Sequence, residues 1–294
     1  MASRPWGCCP LCRSKPVQTS AHLADGNYSH QLQLSLNPLL EAIGPLAGST
    51  LRYVYTDSWE GGCMNWSPGF EQASLEQHGY DALPWLPVLA GYVVDSRSES
   101  SAFLADMRKT IGDRVAQHCG QLAALARKSG MGTHPECSGP HAGPLDGLKN
   151  YGHSELMMSE FWSPSPHRAT DEKRFFVKQT ASAAHTYGRR LVGAEGFTTI
   201  GPHWDDTPWS AMKPSFDHEF CAGLNLLFNH AFTCSPLEMG VPGQEYFADT
   251  HLNPQVTWWH ESGCVLDYFR RCQHLARIGG WRAPRQSFRR GRDG

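Results

Sequence analysis

Short apolar runs alternate along this chain with longer stretches in which apolar residues recur every three or four positions. Five of the short runs are strand-sized, and each delivers a carboxylate or a histidine at its end. Residues 50–56 (TLRYVYT) run into Asp57 and Glu60, and the segment after Gly132 runs into Glu136. LMMS runs into Glu160, LVGA into Glu195 and LNLLFN into His230. Strands are therefore predicted at 50–56, before Glu136, and at 155–160, 190–195 and 225–231, the first of them buried. Helical patterns fill most of the gaps, at 33–46, 70–77, 83–90, 98–128, 171–187, about 215–224 and 262–278. The 98–128 segment is the clearest, because Phe103, Met107, Ile111, Val115, Leu122 and Leu125 form one apolar stripe and Gly130 supplies a stop.

Parallel strands need long crossover connections, and helices are expected between most of these pairs; Glu136 to Glu155 is the exception. The order predicts an α/β fold, a partial (β/α)8 TIM-type barrel comprising about the last five βα units. A closed barrel takes eight units and about 250 residues, so the front units are expected to be missing. Residues 1–32 read as an unstructured leader, 33–279 as the partial barrel, and 280–294 as a disordered basic tail.

Composition narrows the function classes. The chain has 294 residues, 11% aromatic and 18% charged, enough to bury a core. A net charge of -2 gives no field for nucleic acid or a membrane surface. An 18-residue apolar run is absent, so a membrane-spanning helix is not expected, and the N-terminus shows no secretory h-region. Cellular location stays open. The ten cysteines are spread too widely for a disulfide framework, and Cys9 and Cys12 lack a second pair of zinc ligands. GxSxG, P-loop and dinucleotide motifs are missing, and His185 and Tyr187 do not form HExxH.

Acids at strand ends, with tryptophans nearby, suggest sugar chemistry. Asp57, Trp59 and Glu60 offer carboxylates for protons or hydroxyls and an indole for a ring face; a loop with a capping Asp reads equally well. Glu160 precedes Phe161 and Trp162, so partial desolvation would raise its pKa and suit a general acid; a carboxylate paired to a buried Arg is the alternative. Glu195 ends an apolar run, where a buried acid is costly unless paired, protonated or metal-bound. It could be an acid, a base or a calcium ligand. Glu136 follows a weaker strand and is expected in a flexible loop. His230 could bind a sugar hydroxyl or be a satisfied core residue. Trp258 and Trp259 could be a sugar platform or core, and Glu261 beside them is explained by the helix N-terminus alone.

Together, several segments resemble glycoside hydrolase family 106, the α-L-rhamnosidases. They are YTDSWEGGCMNWSPGFEQASLEQHGYDALPWLPVLAG, VVDSRSESSAFLADMRKTIGD, SEFW, VKQTASAAHTYGRRLVGAEGFT, DTPWSAMKPSFDHEFCAGLNLLFNHAF and HLNPQVTWWHESGCVLDYFRRCQHLARIG. The resemblance covers about residues 36–279. It implies a (β/α)8 catalytic barrel, inverting hydrolysis of terminal α-L-rhamnose, a rhamnose-containing glycan as partner, and a calcium ion that holds sugar hydroxyls. Onto this chain it carries Glu60 in DSWE, Glu160 in SEFW and Glu195 in AEGFT. Glu60 and Glu160 are taken as the acid/base pair and Glu195 as serving the metal or substrate, with the division among the three open. The family's early barrel strands and β-rich accessory domains have no counterpart here. An inactive remnant that at most binds sugar, and a barrel hydrolase for another sugar, are the competing expectations.

Overall fold

Parallel strands followed by helices build both parts of this chain. A computed structural model describes residues 36–58, 66–136, 145–163, 176–200 and 208–278. The expected leader and basic tail, Cys9, Cys12, Trp59 and Glu60 lie outside the described residues. Two compact units divide the chain, Met1–Glu160 and Phe161–Gly294. The fold is α/β with parallel sheets.

In the first unit a helix α1 (36–43) precedes β1 (Tyr53–Thr56), α2 (Phe70–His78), α3 (Arg97–Lys128), β2 (Gly132–Pro135), α4 (Gly147–Tyr151) and the start of β3 (Met157–Trp162). Leu83–Ala90 winds as a 3-10 helix because Pro84 and Pro87 have no amide to donate. At the start of α3, Ser96 caps the helix, its Oγ accepting from the Glu99 amide and donating to the Glu99 carboxylate. The predicted stripe of α3 faces inward. Phe103 and Met107 pack with Phe70, Ala82 and Val88, while Val115 and Leu122 continue the buried line. Ile111 and Leu125 are half-buried. Gly130 ends the helix at φ 71°, letting the Met131 amide reach back to the Ala126 carbonyl.

β1 and β2 pair in parallel from Tyr53 opposite Gly132 to Thr56 opposite Pro135. A bridge from Glu136 to Met158 and the Leu156 amide bonded to the Thr133 carbonyl then place β3 beside β2. Two expectations need correcting. β1 is not fully buried: Tyr53 and Tyr55 are 39% and 46% exposed, since among the described residues β1 has a strand partner on one side only. The stretch between Glu136 and Glu155 does hold a helix, α4. Five residues cannot show a helical period, but Asp146 caps them by accepting from the Lys149 amide.

His134 on β2 lies against the rings of Tyr53 and Tyr55, and burial pushes its imidazole down to about 4 from 6.5. The native state then holds it neutral while the unfolded chain protonates it. Across that window the unfolded chain binds more protons, so stability falls as pH drops from about 6.5 to about 4. The thermal midpoint is expected to fall over this range and to fall less in His134→Gln. Equal slopes in the two proteins would place the effect elsewhere, for instance in His153 or His185, which are shifted the same way.

In the second unit the last residues of β3, Phe161 and Trp162, lie in a sheet with β4 (Val192–Thr198) and β5 (Leu226–Asn229), in that order. α5 (Phe176–Thr186), α6 (Lys213–Ala222) and α7 (Gly263–Ile278) connect and follow the strands. β4 and β5 pair from Gly193 opposite Leu226 to Gly196 opposite Asn229. Gly196 is required by a close approach, because a Cβ there would sit 2.5 Å from Leu227 Cδ1 and 2.7 Å from Phe161 Cζ. The outer side of β5 is covered by α7. Gln273 Oε1 accepts from the Leu227 amide at 2.8 Å and Arg277 Nε donates to the Asn225 carbonyl at 2.8 Å. β3 and β4 both run past the carboxylates expected to end them, to Trp162 and Thr198, as aromatic and β-branched residues favour.

Candidate functional site

The first unit carries acids on three neighbouring strands. Asp57 and Glu136 directly follow β1 and β2, and Glu160 lies within β3, so all three sit at or near the C-terminal ends of parallel strands. Glu136 is 2% exposed and Glu160 5%. For Glu136 the burial follows from position, since it sits between β1 and β3 and α3 packs against β2. Carboxylate oxygens of Asp57 and Glu136 approach within 4.8 Å. The Tyr55 hydroxyl donates to Glu136 Oε1 at 3.0 Å. Tyr55 was missed in the sequence, although it stands two positions before Asp57 and so shares its face of the strand.

Two converging carboxylates, one of them buried, form the donor set a hard cation prefers, since calcium takes six to eight oxygen ligands. The residues present fit such an ion. They do not suit zinc, which favours imidazole and thiolate in tetrahedral sites.

The second unit carries Glu195 and His230. Glu195 lies in β4 opposite Phe228 of β5, and His230 follows β5 with its amide bonded to the Gly196 carbonyl. His230 Nδ1 stands 3.6 Å from Glu195 Oε1, and the Thr198 hydroxyl donates to the same oxygen at 2.8 Å. Glu195 is the partly exposed side chain of a strand otherwise buried. The next residue but one, Phe197, holds φ 75°, a conformation a bulky side chain rarely adopts, and it is 0% exposed. Backbone strain beside a carboxylate is characteristic of a site held by its surroundings.

Of the remaining expected residues, Trp162 and Trp258 are half-buried. Trp259, also half-buried, sets its ring 6.0 Å from that of Phe232, edge to face. Tyr246, which the sequence did not single out, meets His230 edge-on at 5.6 Å. It lies in a loop without periodicity, so no pattern marked it.

Comparisons with known proteins identify the family. The model of the α-L-rhamnosidase family, glycoside hydrolase 106, matches residues 22–284. The solved structure of a rhamnosidase from Novosphingobium sp. PP1Y superposes with a TM-score of 0.70 at 29% identity, over 86% of this chain and 24% of that one. A curated protein of Formosa agariphila, provisionally named a β-glucuronidase, is 32% identical over 245 residues, which is 83% of this chain and 20% of that protein. The chain thus spans between a fifth and a quarter of the length of these two relatives. It belongs to glycoside hydrolase family 106, the α-L-rhamnosidase family.

Proposed function

We propose that this chain carries the carboxylates of an enzyme that hydrolyses terminal α-L-rhamnosides of polysaccharides or glycosides with inversion. Its parallel units are then about the last five βα units of a TIM-type barrel. The observation that carries the reading is the placement of Asp57, Glu136 and Glu160 at or near the C-terminal ends of three adjacent parallel strands. Barrel enzymes perform their chemistry at that end.

Glu60 and Glu160 act as the pair. One carboxyl gives its proton to the glycosidic oxygen as the bond to the anomeric carbon breaks. The other takes a proton from water, whose oxygen adds to that carbon from the opposite face; this requires about 6.5–9.5 Å between the two carboxyls. Asp57 and Glu136 would hold calcium, and Glu195 keeps the metal or substrate role implied by AEGFT. A bound calcium ion supplies a Lewis-acidic grip on vicinal sugar hydroxyls. Trp162, Trp258, Trp259 and His230 are assigned to sugar contacts.

Hydrolysis of an aryl α-L-rhamnoside, followed by NMR of the first-formed anomer, tests the proposal. The β anomer appearing first supports it, and the α anomer appearing first removes the inverting mechanism. The provisional name of the Formosa protein makes another sugar the second reading. Cleavage of an aryl β-glucuronide in place of the rhamnoside would establish it. Turnover of neither would leave a sugar-binding remnant.

Calcium gives a separate prediction. A ligand at 100 times its Kd that binds only the native state stabilises it by about 2.7 kcal/mol. Added calcium is expected to raise the thermal midpoint of the parent chain by several degrees, and to have no effect in Glu136→Gln. An equal shift in both proteins would move the ion elsewhere.

A further inference from the structure

The loop after β5 buries a group of polar side chains that the proposed chemistry does not use. Asp249, His251 and Asn253 are 0% exposed, Thr250 1% and Thr233 8%. Thr233 Oγ1 donates to Asp249 Oδ2 at 2.6 Å, and Asn253 Nδ2 donates to the Thr233 carbonyl at 2.9 Å. His251 Nε2 lies 3.0 Å from Asp249 Oδ1 and 3.3 Å from the Tyr246 amide. The Tyr246 amide is the donor to that nitrogen, which therefore accepts. Burying so many polar groups is unfavourable unless they are bonded, and the bonds from Thr233, Asn253 and the Tyr246 amide tie this segment to itself.

What the network holds is a short backbone stitch. The Thr250 amide donates to the Phe197 carbonyl, the Ala231 amide to the Thr250 carbonyl, and the Leu252 amide to the Ala231 carbonyl. Residue 250 therefore ties the end of β4, two residues past Glu195, to the residue after His230. Tyr246, on the same segment, meets the His230 ring at 5.6 Å. The stitch adjoins the place where His230 approaches Glu195 to 3.6 Å.

The geometry points to Thr233, Asp249, His251 and Asn253 as positioning residues that lock His230 against Glu195. This assignment extends the rhamnosidase reading of Glu195 and His230 and rests on it for its effect on turnover. Small errors in the placement of reacting groups carry large rate penalties. Removing the Thr233 hydroxyl therefore costs activity without removing any group that touches sugar.

The test uses the full chain labelled with ¹³C-histidine, with the His230 signal identified by its loss in His230→Gln. Thr233→Val is expected to move that signal toward free histidine and to lower kcat/KM at least 10-fold. Thr233→Ser, which keeps the hydroxyl, is expected to restore both. A His230 signal unmoved in folded Thr233→Val and Asp249→Asn overturns the assignment. If the parent chain hydrolyses neither glycoside, a signal moved in the variants supports the positioning and sinks only the enzymatic reading. A further measurement needs no variant and decides the case if the substitutions unfold the chain. In the parent, the Ala231, Thr250 and Leu252 amides should exchange with deuterium only as fast as global unfolding. Exchange at the rate of free amides overturns the proposal.

Discussion

Glu160→Gln is expected to lower kcat/KM for an aryl α-L-rhamnoside by about 10²–10⁴-fold, the range a positioned acid or base contributes. The substitution is nearly isosteric. It removes only the exchangeable proton and the charge from a side chain 5% exposed on β3, between Ser159 and Phe161, both buried. The thermal midpoint should therefore change far less than the rate. The leaving group separates the two roles open to Glu160. If it is the acid, activity returns when the aryl group is made a better leaving group, because protonation is then no longer needed. If it is the base, rescue follows instead from an added small anion such as azide. A folded variant within threefold of the parent on all substrates would remove Glu160 from the pair.

Phe197→Ala should cost about 3–5 kcal/mol, which is the usual loss for a buried aromatic. The ring is 0% exposed and sits at the centre of an aromatic group, 5.2 Å from Phe161 and 5.6 Å from Phe269, which in turn lies 4.4 Å from Phe216. These side chains join β3, β4, α6 and α7 within the second unit. Alanine deletes the ring but keeps the unfavourable φ of 75°, so the strain remains and its anchor is lost. For a unit of this size the thermal midpoint should drop by roughly 10 °C or more. Phe197→Gly discriminates the two contributions, since glycine accepts positive φ. It should be no less stable than the alanine variant despite glycine's greater freedom when unfolded. If alanine is the better tolerated, the backbone at this position is not strained in solution.

Much of the alternation of strand and helix was legible because it rests on periodicity. The α3 stripe and the apolar runs before Glu136, Glu160, Glu195 and His230 are patterns that local sequence alone can carry. The elements that escaped have other causes. α4 is shorter than two helical turns and depends on the Asp146 cap. The exposure of β1 depends on which strands flank it, a fact of tertiary pairing that its apolar sequence YVYT cannot express. The extension of β4 past Glu195 depends on the cross-strand bond of the Ser163 amide to the Thr198 carbonyl. For the site, residue type and strand-end position picked out Asp57, Glu136, Glu160, Glu195 and His230. The contacts that orient them come from Tyr55, Thr198 and the 246–253 segment. Those residues lie in short or aperiodic stretches, and their role appears only once the chain is folded back on itself.

The bond from the Leu227 amide to Gln273 has a bearing on self-association. A strand whose outward amide is already taken by a side chain offers no template for another backbone, and natural sheets blunt their borders by such means. At β5 this plug comes from the helix that follows the strand in the same chain, so the border is closed by intramolecular docking and not by concentration. Fibril-like growth across β5 would first require α7 to peel away, which makes the grip of one glutamine a barrier to misassembly as well as a contact within the fold.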